Sequence, residues 1–240
     1  MLDASFIARH YQERYTSRVV IDGTPVLAQM IQSRLPAEGI VLDLGAGSGG
    51  ELPHPCKRPG ITLIGVDSST AVETNESLDS CLVQDAADLP FAAGSIDAVF
   101  SDFTIEHLEY PEPVVIEVSR VLKSGAPFVF RTVNVFHYVP ICASLLRGRL
   151  RDAALRNSGR LPEELFPTYY RLNNRRAIIR LLRRHQLEVE EIRFVEGPPV
   201  YLTFSRILYT LGIAYERIAN LSPRTEFLRA NILVAARKRD

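Results

Sequence analysis

An apolar run that ends in a loop almost without side chains constrains this chain most. Val41-Leu42-Asp43-Leu44 leads straight into Gly45-Ala46-Gly47-Ser48-Gly49-Gly50. Glycine tolerates positive φ and lets a ligand approach the main chain, with amide N–H groups free to face it. The pattern predicts a buried strand ending in a nucleotide-type binding loop. Around it, short β-branched runs alternate with turn residues and helical periodicity, the order of parallel strands joined by crossovers. The expected strands are Ile40–Leu44, Ile61–Val66, Cys81–Val83, Ile96–Ser101, Ala126–Thr132, Leu187–Val195 and Asn231–Ala236, which makes the fold α/β.

Thr24-Pro25 reads as a helix start, and Val26, Leu27, Met30, Ile31 and Leu35 follow at helical spacing. Pro111–Leu122 is rich in β-branched residues, yet Val114, Val115, Val118, Val121 and Leu122 are spaced for a helix. From Val133 to about Thr168 the alternation stops and prolines, glycines and arginines take over, as in an insertion or lid. One domain is expected over 1–240. Its parts are an N-terminal helical region (1–36), a cofactor-binding core (37–132), an insertion or cap (133–172) and a C-terminal part (173–240) that completes the sheet.

Gly45, Gly47 and Gly50 satisfy the G-x-G-x-x-G dinucleotide spacing. Two features oppose a pyrophosphate. Pro53, Pro55 and Pro59 would break the long helix that must start at those glycines. Asp43 also sets a carboxylate beside the loop, which suits a cationic or zwitterionic ligand better.

Further motifs follow in order: Val66-Asp67-Ser68, Gln84-Asp85-Ala86 with Asp88-Leu89-Pro90-Phe91, Ser95-Ile96-Asp97-Ala98-Val99, Glu106-His107, and Arg120-Val121-Leu122-Lys123-Ser124-Gly125. With the glycine loop they resemble the class I S-adenosylmethionine-dependent methyltransferases, most closely the small-molecule branch that includes quinone-biosynthesis enzymes. The likeness runs from about residue 20 to 135. It implies a Rossmann-like, mostly parallel seven-stranded sheet with helices on both faces and an antiparallel last strand. It also implies S-adenosylmethionine as cofactor. Gly45, Gly47 and Gly49 would lie along its methionine part, with Asp43 orienting the loop or the amino group. Asp67, with Ser68 beside it, would take the ribose hydroxyls; Asp85 and the Ala86 N–H would meet the adenine; Ser101 would line the space near the sulfonium. Ser124 stands where the family commonly has proline, and the crossover Glu51–Gly60 is shorter and richer in proline than the family's helix.

The acceptor is less legible, because in-line methyl transfer needs alignment and dry surroundings more than a fixed set of residues. His137 is the candidate general base, with a structural histidine as the other reading. His107, Asn134, Tyr138, Tyr169, Tyr170 and Arg171 are candidate substrate contacts, the tyrosines being equally readable as packing. Arginines 147, 149, 151, 156, 160, 171, 175, 176, 180, 183 and 184 face only Asp152, Glu163 and Glu164. On a helix Arg176, Arg180, Arg183 and Arg184 share one face, opposite Ala177, Ile178, Leu181 and Leu182. A solvated basic face or a site for an anionic acceptor or surface both fit. Val139–Leu146 reads as a shallow peripheral membrane contact or a lid over a greasy substrate, and Val200–Leu221 as a second amphipathic cover, core packing or a dimer surface.

Over its whole length the chain is balanced, with 28 basic and 28 acidic residues, which argues against a general nucleic-acid binder. Cys56, Cys81 and Cys142 form neither a disulfide framework nor a zinc pattern, so no metal and a reducing cytoplasm are expected. No apolar run is long enough to span a bilayer. The sequence thus predicts methyl transfer to a small-molecule, sugar or lipid-linked acceptor, at oxygen first. An RNA methyltransferase, a noncatalytic cofactor-binding protein and an NAD oxidoreductase stand as alternatives.

Overall fold

A computed structural model describes residues 4–11, 23–49, 54–145 and 166–240. Gly50 and the arginines at 147–160, with Asp152, Glu163 and Glu164, lie outside the described residues. Seven strands form one sheet: β1 Gly39–Leu44, β2 Ile61–Asp67, β3 Ser80–Val83, β4 Ala98–Asp102, β5 Pro127–Val133, β6 Leu187–Val195 and β7 Asn231–Lys238. Their order is β3-β2-β1-β4-β5-β7-β6. β1 runs parallel to both β2 and β4, β2 to β3, and β4 to β5. β7 is antiparallel to β5: Lys238 N–H bonds Ala126 O at one end, and Asn134 N–H bonds Ala230 O at the other.

The sheet explains the strand sequences. β1 has neighbours on both edges, so its last four residues are buried and read as an apolar run interrupted only by Asp43. β4 starts two residues later than the alternation suggests. Ile96 makes a separate parallel bridge to Leu122 and the Asp97 carboxylate accepts from Ile40 N–H, which keeps both out of the strand.

The described helices are α1 Ala4–Tyr11, α2 Thr24–Gln32, α3 Pro111–Val121, α4 Tyr138–Leu145, α5 Arg175–Arg184 and α6 Arg206–Ala219. α3 forms despite its valines. Each gives up roughly 0.5 kcal/mol of helix propensity, whereas burying its side chain contributes about 1.5–3 kcal/mol. Val114, Val115, Val118 and Val121 are all buried. α5 is capped by the Asn174 side chain on Ala177 N–H; it buries Ile178 and Leu182 and leaves Arg175, Arg176, Arg180, Arg183 and Arg184 exposed.

The contacts divide the chain into two compact units. One holds Leu27–Thr132, Thr168–Arg193 and Leu233–Asp240; the other holds Met1–Val26, Val133–Pro167 and Phe194–Ile232. Between β1 and β4 the strand order reverses, and the loops after both strands open at the same sheet edge. Crevices at such switch points are where open α/β sheets bind ligands.

Candidate functional site

The glycine loop sits at this switch point, and its main chain is held from below. Gly45 N–H bonds Val66 O at 2.7 Å, while Ser101 Oγ and Thr104 Oγ1 donate to Leu44 O at 2.8 and 3.2 Å. Asn75 Nδ2 reaches Ala46 O and Gly47 O. Asp67, at the end of β2, accepts Gly47 N–H at 2.9 Å and Ser69 N–H at 2.8 Å. The strand-end carboxylate thus shapes the loop as well as facing the edge.

Two glycines do different work. Gly45 has φ +78°, and a Cβ there would overlap Thr104 Oγ1 and Cγ2, so only glycine lets the loop press onto the turn after β4. Gly47 has φ +50°, and a Cβ there would meet nothing within 4 Å. The space over the Gly47 α-carbon is open.

Asp43 lies beneath that loop and is buried. His54 Nδ1 accepts the Cys56 N–H, which leaves the ring proton on Nε2 to be donated to Asp43 Oδ2 at 3.0 Å. The imidazole also meets Phe100 edge-on, with centroids 4.8 Å apart. Burial pushes the Asp43 carboxyl above its usual range, while the His54 hydrogen bond pulls it back. Among the described residues no helix joins β1 to β2, and turns occupy His54–Gly60. The prolines that forbid a helix therefore place a histidine against the acidic residue of the loop.

Beyond β3, Asp85 is exposed and accepts Ala87 N–H at 2.8 Å, with Ala86 half-buried beside it. Ser68 is exposed after β2. Gly45, Gly47, Gly49, Asp67, Ser68, Asp85 and Ala86 therefore lie at or just beyond the carboxyl ends of β1, β2 and β3. Ser101 does not line this space. It is fully buried, and its hydroxyl holds Leu44 O from beneath the loop.

The ends of β4 and β5 are locked together. Arg131, buried at the end of β5, forms two 2.7 Å bonds to the Asp102 carboxylate, and its guanidinium lies over Phe103, which has φ +52°. Glu106 is buried; its carboxyl accepts Thr132 Oγ1–H at 2.9 Å, and Asn173 Nδ2 donates to the same hydroxyl at 2.8 Å. Burial raises the Glu106 pKa. Its carbonyl takes the N–H groups of Tyr169 and Tyr170, at 2.9 and 3.3 Å, so this residue straps that segment to the sheet edge. Tyr169 and Arg171 are exposed there, and Tyr170 and His107 half-buried.

The remaining candidates belong to the other unit. Asn134 is fully buried and wholly engaged with main chain: Nδ2 donates to Phe227 O and Arg229 O, and Oδ1 accepts Phe136 N–H. It is a framework residue instead of the expected substrate contact. His137 is buried between Tyr138 and Tyr215, at centroid distances of 4.2 and 5.4 Å. Its Nε2 stands 3.4 Å from Glu196 Oε1 and has no hydrogen bond of good geometry. Glu196 is itself fixed by Ala230 N–H. Burial raises the Tyr138 phenol and pushes Tyr215 up to about 12.

His54, Asn75 and Thr104 were not visible in the sequence as parts of the site. His54 had one signal, its place among prolines where the usual helix is impossible. Asn75 and Thr104 act through space on the loop and carry no pattern of their own.

Comparison with known proteins agrees with this geometry. Residues 42–130 match the family described as "Methyltransferase domain". Ajmaline N-methyltransferase of Rauvolfia serpentina is 35% identical over 99 residues, 37% of this chain and 34% of that protein. Sarcosine/dimethylglycine N-methyltransferase of Aphanothece halophytica is 36% identical over 105 residues, 40% of this chain and 38% of that protein. The matched stretch thus spans little more than a third of these relatives' length. The solved SAM-dependent methyltransferase of Methanosarcina mazei superposes with a TM-score of 0.58 at 18% identity, covering 88% of this chain and 97% of that one. Residues 42–130, which hold the glycine loop and the carboxylates at successive strand ends, thus match a methyltransferase domain, and the seven-stranded sheet that carries them has the fold of solved S-adenosylmethionine-dependent methyltransferases.

Proposed function

We propose that the protein transfers a methyl group from S-adenosylmethionine to a small-molecule, sugar or lipid-linked acceptor, at oxygen. One observation carries the cofactor half: a glycine at φ +50° with open space over its α-carbon, its N–H held by the strand-end carboxylate of Asp67. The residues present fit that ligand. Glycines let a ligand approach the loop's main chain closely, and Asp67 and Asp85 offer carboxylate oxygens for hydroxyl and amino hydrogens.

When bound, the cofactor supplies a sulfonium-activated methyl and its own leaving group. The chain's task is to hold the acceptor in line, exclude water and take a proton where the acceptor is a hydroxyl. His137 is the candidate for the last step: a buried imidazole whose Nε2 faces the Glu196 carboxylate at 3.4 Å, which would stabilise the imidazolium, leaving Nδ1, which accepts Val139 N–H at 3.4 Å, as the nitrogen to take the proton. Tyr169, Tyr170, Arg171 and His107, strapped to the sheet edge through Glu106, are the acceptor-side wall in this reading.

A nitrogen acceptor is the second reading, favoured by the two relatives above, both named N-methyltransferases. An amine with a free lone pair needs no base. Incubation with trideuteromethyl cofactor and fractionated small molecules and lipids, followed by mass and NMR analysis of labelled products, separates the readings. A labelled O-methyl ether or ester supports the first and a labelled N-methyl amine the second. Cofactor binding with no labelled product from any fraction overturns both.

A further inference from the structure

Helix α6 has two apolar faces, and the described residues cover only one of them. Tyr209, Gly212, Ile213 and Ala219 form the inner face and are buried. Tyr209 and Ile213 cluster with Ile7 of α1, the Tyr209 hydroxyl lies 3.3 Å from His10 Nδ1, and a Cβ on Gly212 would overlap Pro199. On the opposite side Ile207, Leu211 and Ile218 recur at helical spacing, with Phe204 just before the helix and Leu221 just after it, and all five are exposed, Ile207 at 75% and Leu221 at 79%. The helix has 14 residues, so this stripe runs along about 21 Å. A contiguous apolar strip of that kind on a folded surface marks an interaction site.

The charges beside the stripe indicate what covers it. Arg206 and Arg217 lie along one edge of the helix, Arg206 also stacking over Phe6 at 4.3 Å, and exposed Arg224 follows just past its end. The acid on the helix, Glu216, is half-buried on the far side. No carboxylate of the described residues is ion-paired with Arg217 or Arg224. Packed antiparallel on a second copy, the same edge would meet itself, arginine against arginine. Phosphate headgroups above acyl chains complement both features at once.

We propose that α6 docks this protein on an anionic lipid surface, with Phe204, Ile207, Leu211, Ile218 and Leu221 in the headgroup–acyl boundary and Arg206, Arg217 and Arg224 on lipid phosphates. An in-plane amphipathic helix binds in this way through apolar area and headgroup attraction together. Among the described residues no helix is long and apolar enough to cross a membrane, so the contact is superficial. The inference concerns a surface of the second unit and stands independently of the methyl-transfer reading.

The test is flotation of the full-length protein with vesicles of phosphatidylcholine alone or mixed with phosphatidylglycerol. Sedimentation equilibrium is run on the same samples without lipid. The wild type floats with the anionic vesicles and less with the neutral ones. Ile207→Asp with Leu211→Asp lowers the partition coefficient about tenfold or more, with the circular dichroism spectrum and cofactor affinity unchanged. Arg217→Glu with Arg224→Glu removes the preference for anionic lipid, at about fivefold per arginine. Absence of wild-type flotation with either vesicle overturns the proposal. So does flotation that the aspartate pair leaves unchanged, or a wild-type dimer that the same pair dissociates, which would make a second copy the occupant.

Discussion

Gly45 and Gly47 share a loop and a positive φ, yet the structure gives them different consequences on replacement by alanine. At Gly47 the added Cβ meets no protein atom, so the expected penalty is the left-handed backbone alone, about 1–2 kcal/mol. For a domain of this size that lowers the melting temperature by roughly 2–8 °C. At Gly45 the same strain is joined by overlap with Thr104, whose Cβ would stand at 2.7 Å from the new methyl. Overpacking adds about 1–3 kcal/mol, and the Leu44 O bond of Thr104 is disturbed. Thr104→Gly in the Gly45→Ala background clears the colliding atoms and recovers most of the overpacking part. Binding should rank the other way. Gly47→Ala stays folded but loses cofactor affinity by about tenfold or more, because its methyl fills the space where the ligand must reach the main chain. Thermal unfolding and calorimetric titration with S-adenosylmethionine read the two effects separately. Equal melting temperatures for both variants would refute the steric argument, and wild-type affinity in Gly47→Ala would refute the assignment of that space to the cofactor.

Asp67→Ala removes the acceptor of Gly47 N–H and the proposed ribose partner. Cofactor affinity should fall by at least the roughly 1.5–3 kcal/mol of a hydrogen bond to a charged group, and unchanged affinity by calorimetry would count against the role. Asp43→Asn probes the buried acid. Because its folded pKa lies above the unfolded value, the proton-bound form is the one the fold favours. Stability from this site is fully present below the ordinary aspartate pKa and declines as pH rises through the folded pKa. The asparagine variant should therefore unfold at higher temperature than wild type at pH 7, by about 0.5–2 kcal/mol in stability. The advantage should vanish below pH about 3.9; a gain independent of pH would show that burial of this charge is not its cause. His137→Ala should lower turnover about 10²–10⁴-fold with cofactor affinity retained, and full activity would leave the buried His137–Glu196 pair a structural one.

The parallel core was legible because β1, β4 and β5 are buried along most of their length and announce themselves as near-continuous apolar runs. The α3 valines were legible too, since their spacing outweighs their propensity. The loop glycines could be found because left-handed backbone admits few other residues. Its supports could not: Thr104 and Asn75 reach the loop from segments distant in sequence, and nothing local distinguishes a threonine that seats a glycine from one in a turn. Ser101 and Asn134 show the reverse error. A polar residue at a strand's carboxyl end looks like a ligand contact, but both are buried, and their hydrogen bonds go to main-chain groups of the fold. Motif position locates a residue at the site edge and does not say which way its side chain turns.

Equilibrium titration of the purified protein with S-adenosylmethionine and, separately, with nicotinamide adenine dinucleotide tests the central claim most directly. The account predicts saturable binding of the sulfonium compound, weakened in Gly47→Ala and Asp67→Ala, and none of the dinucleotide. Saturable binding of the dinucleotide alone would contradict it.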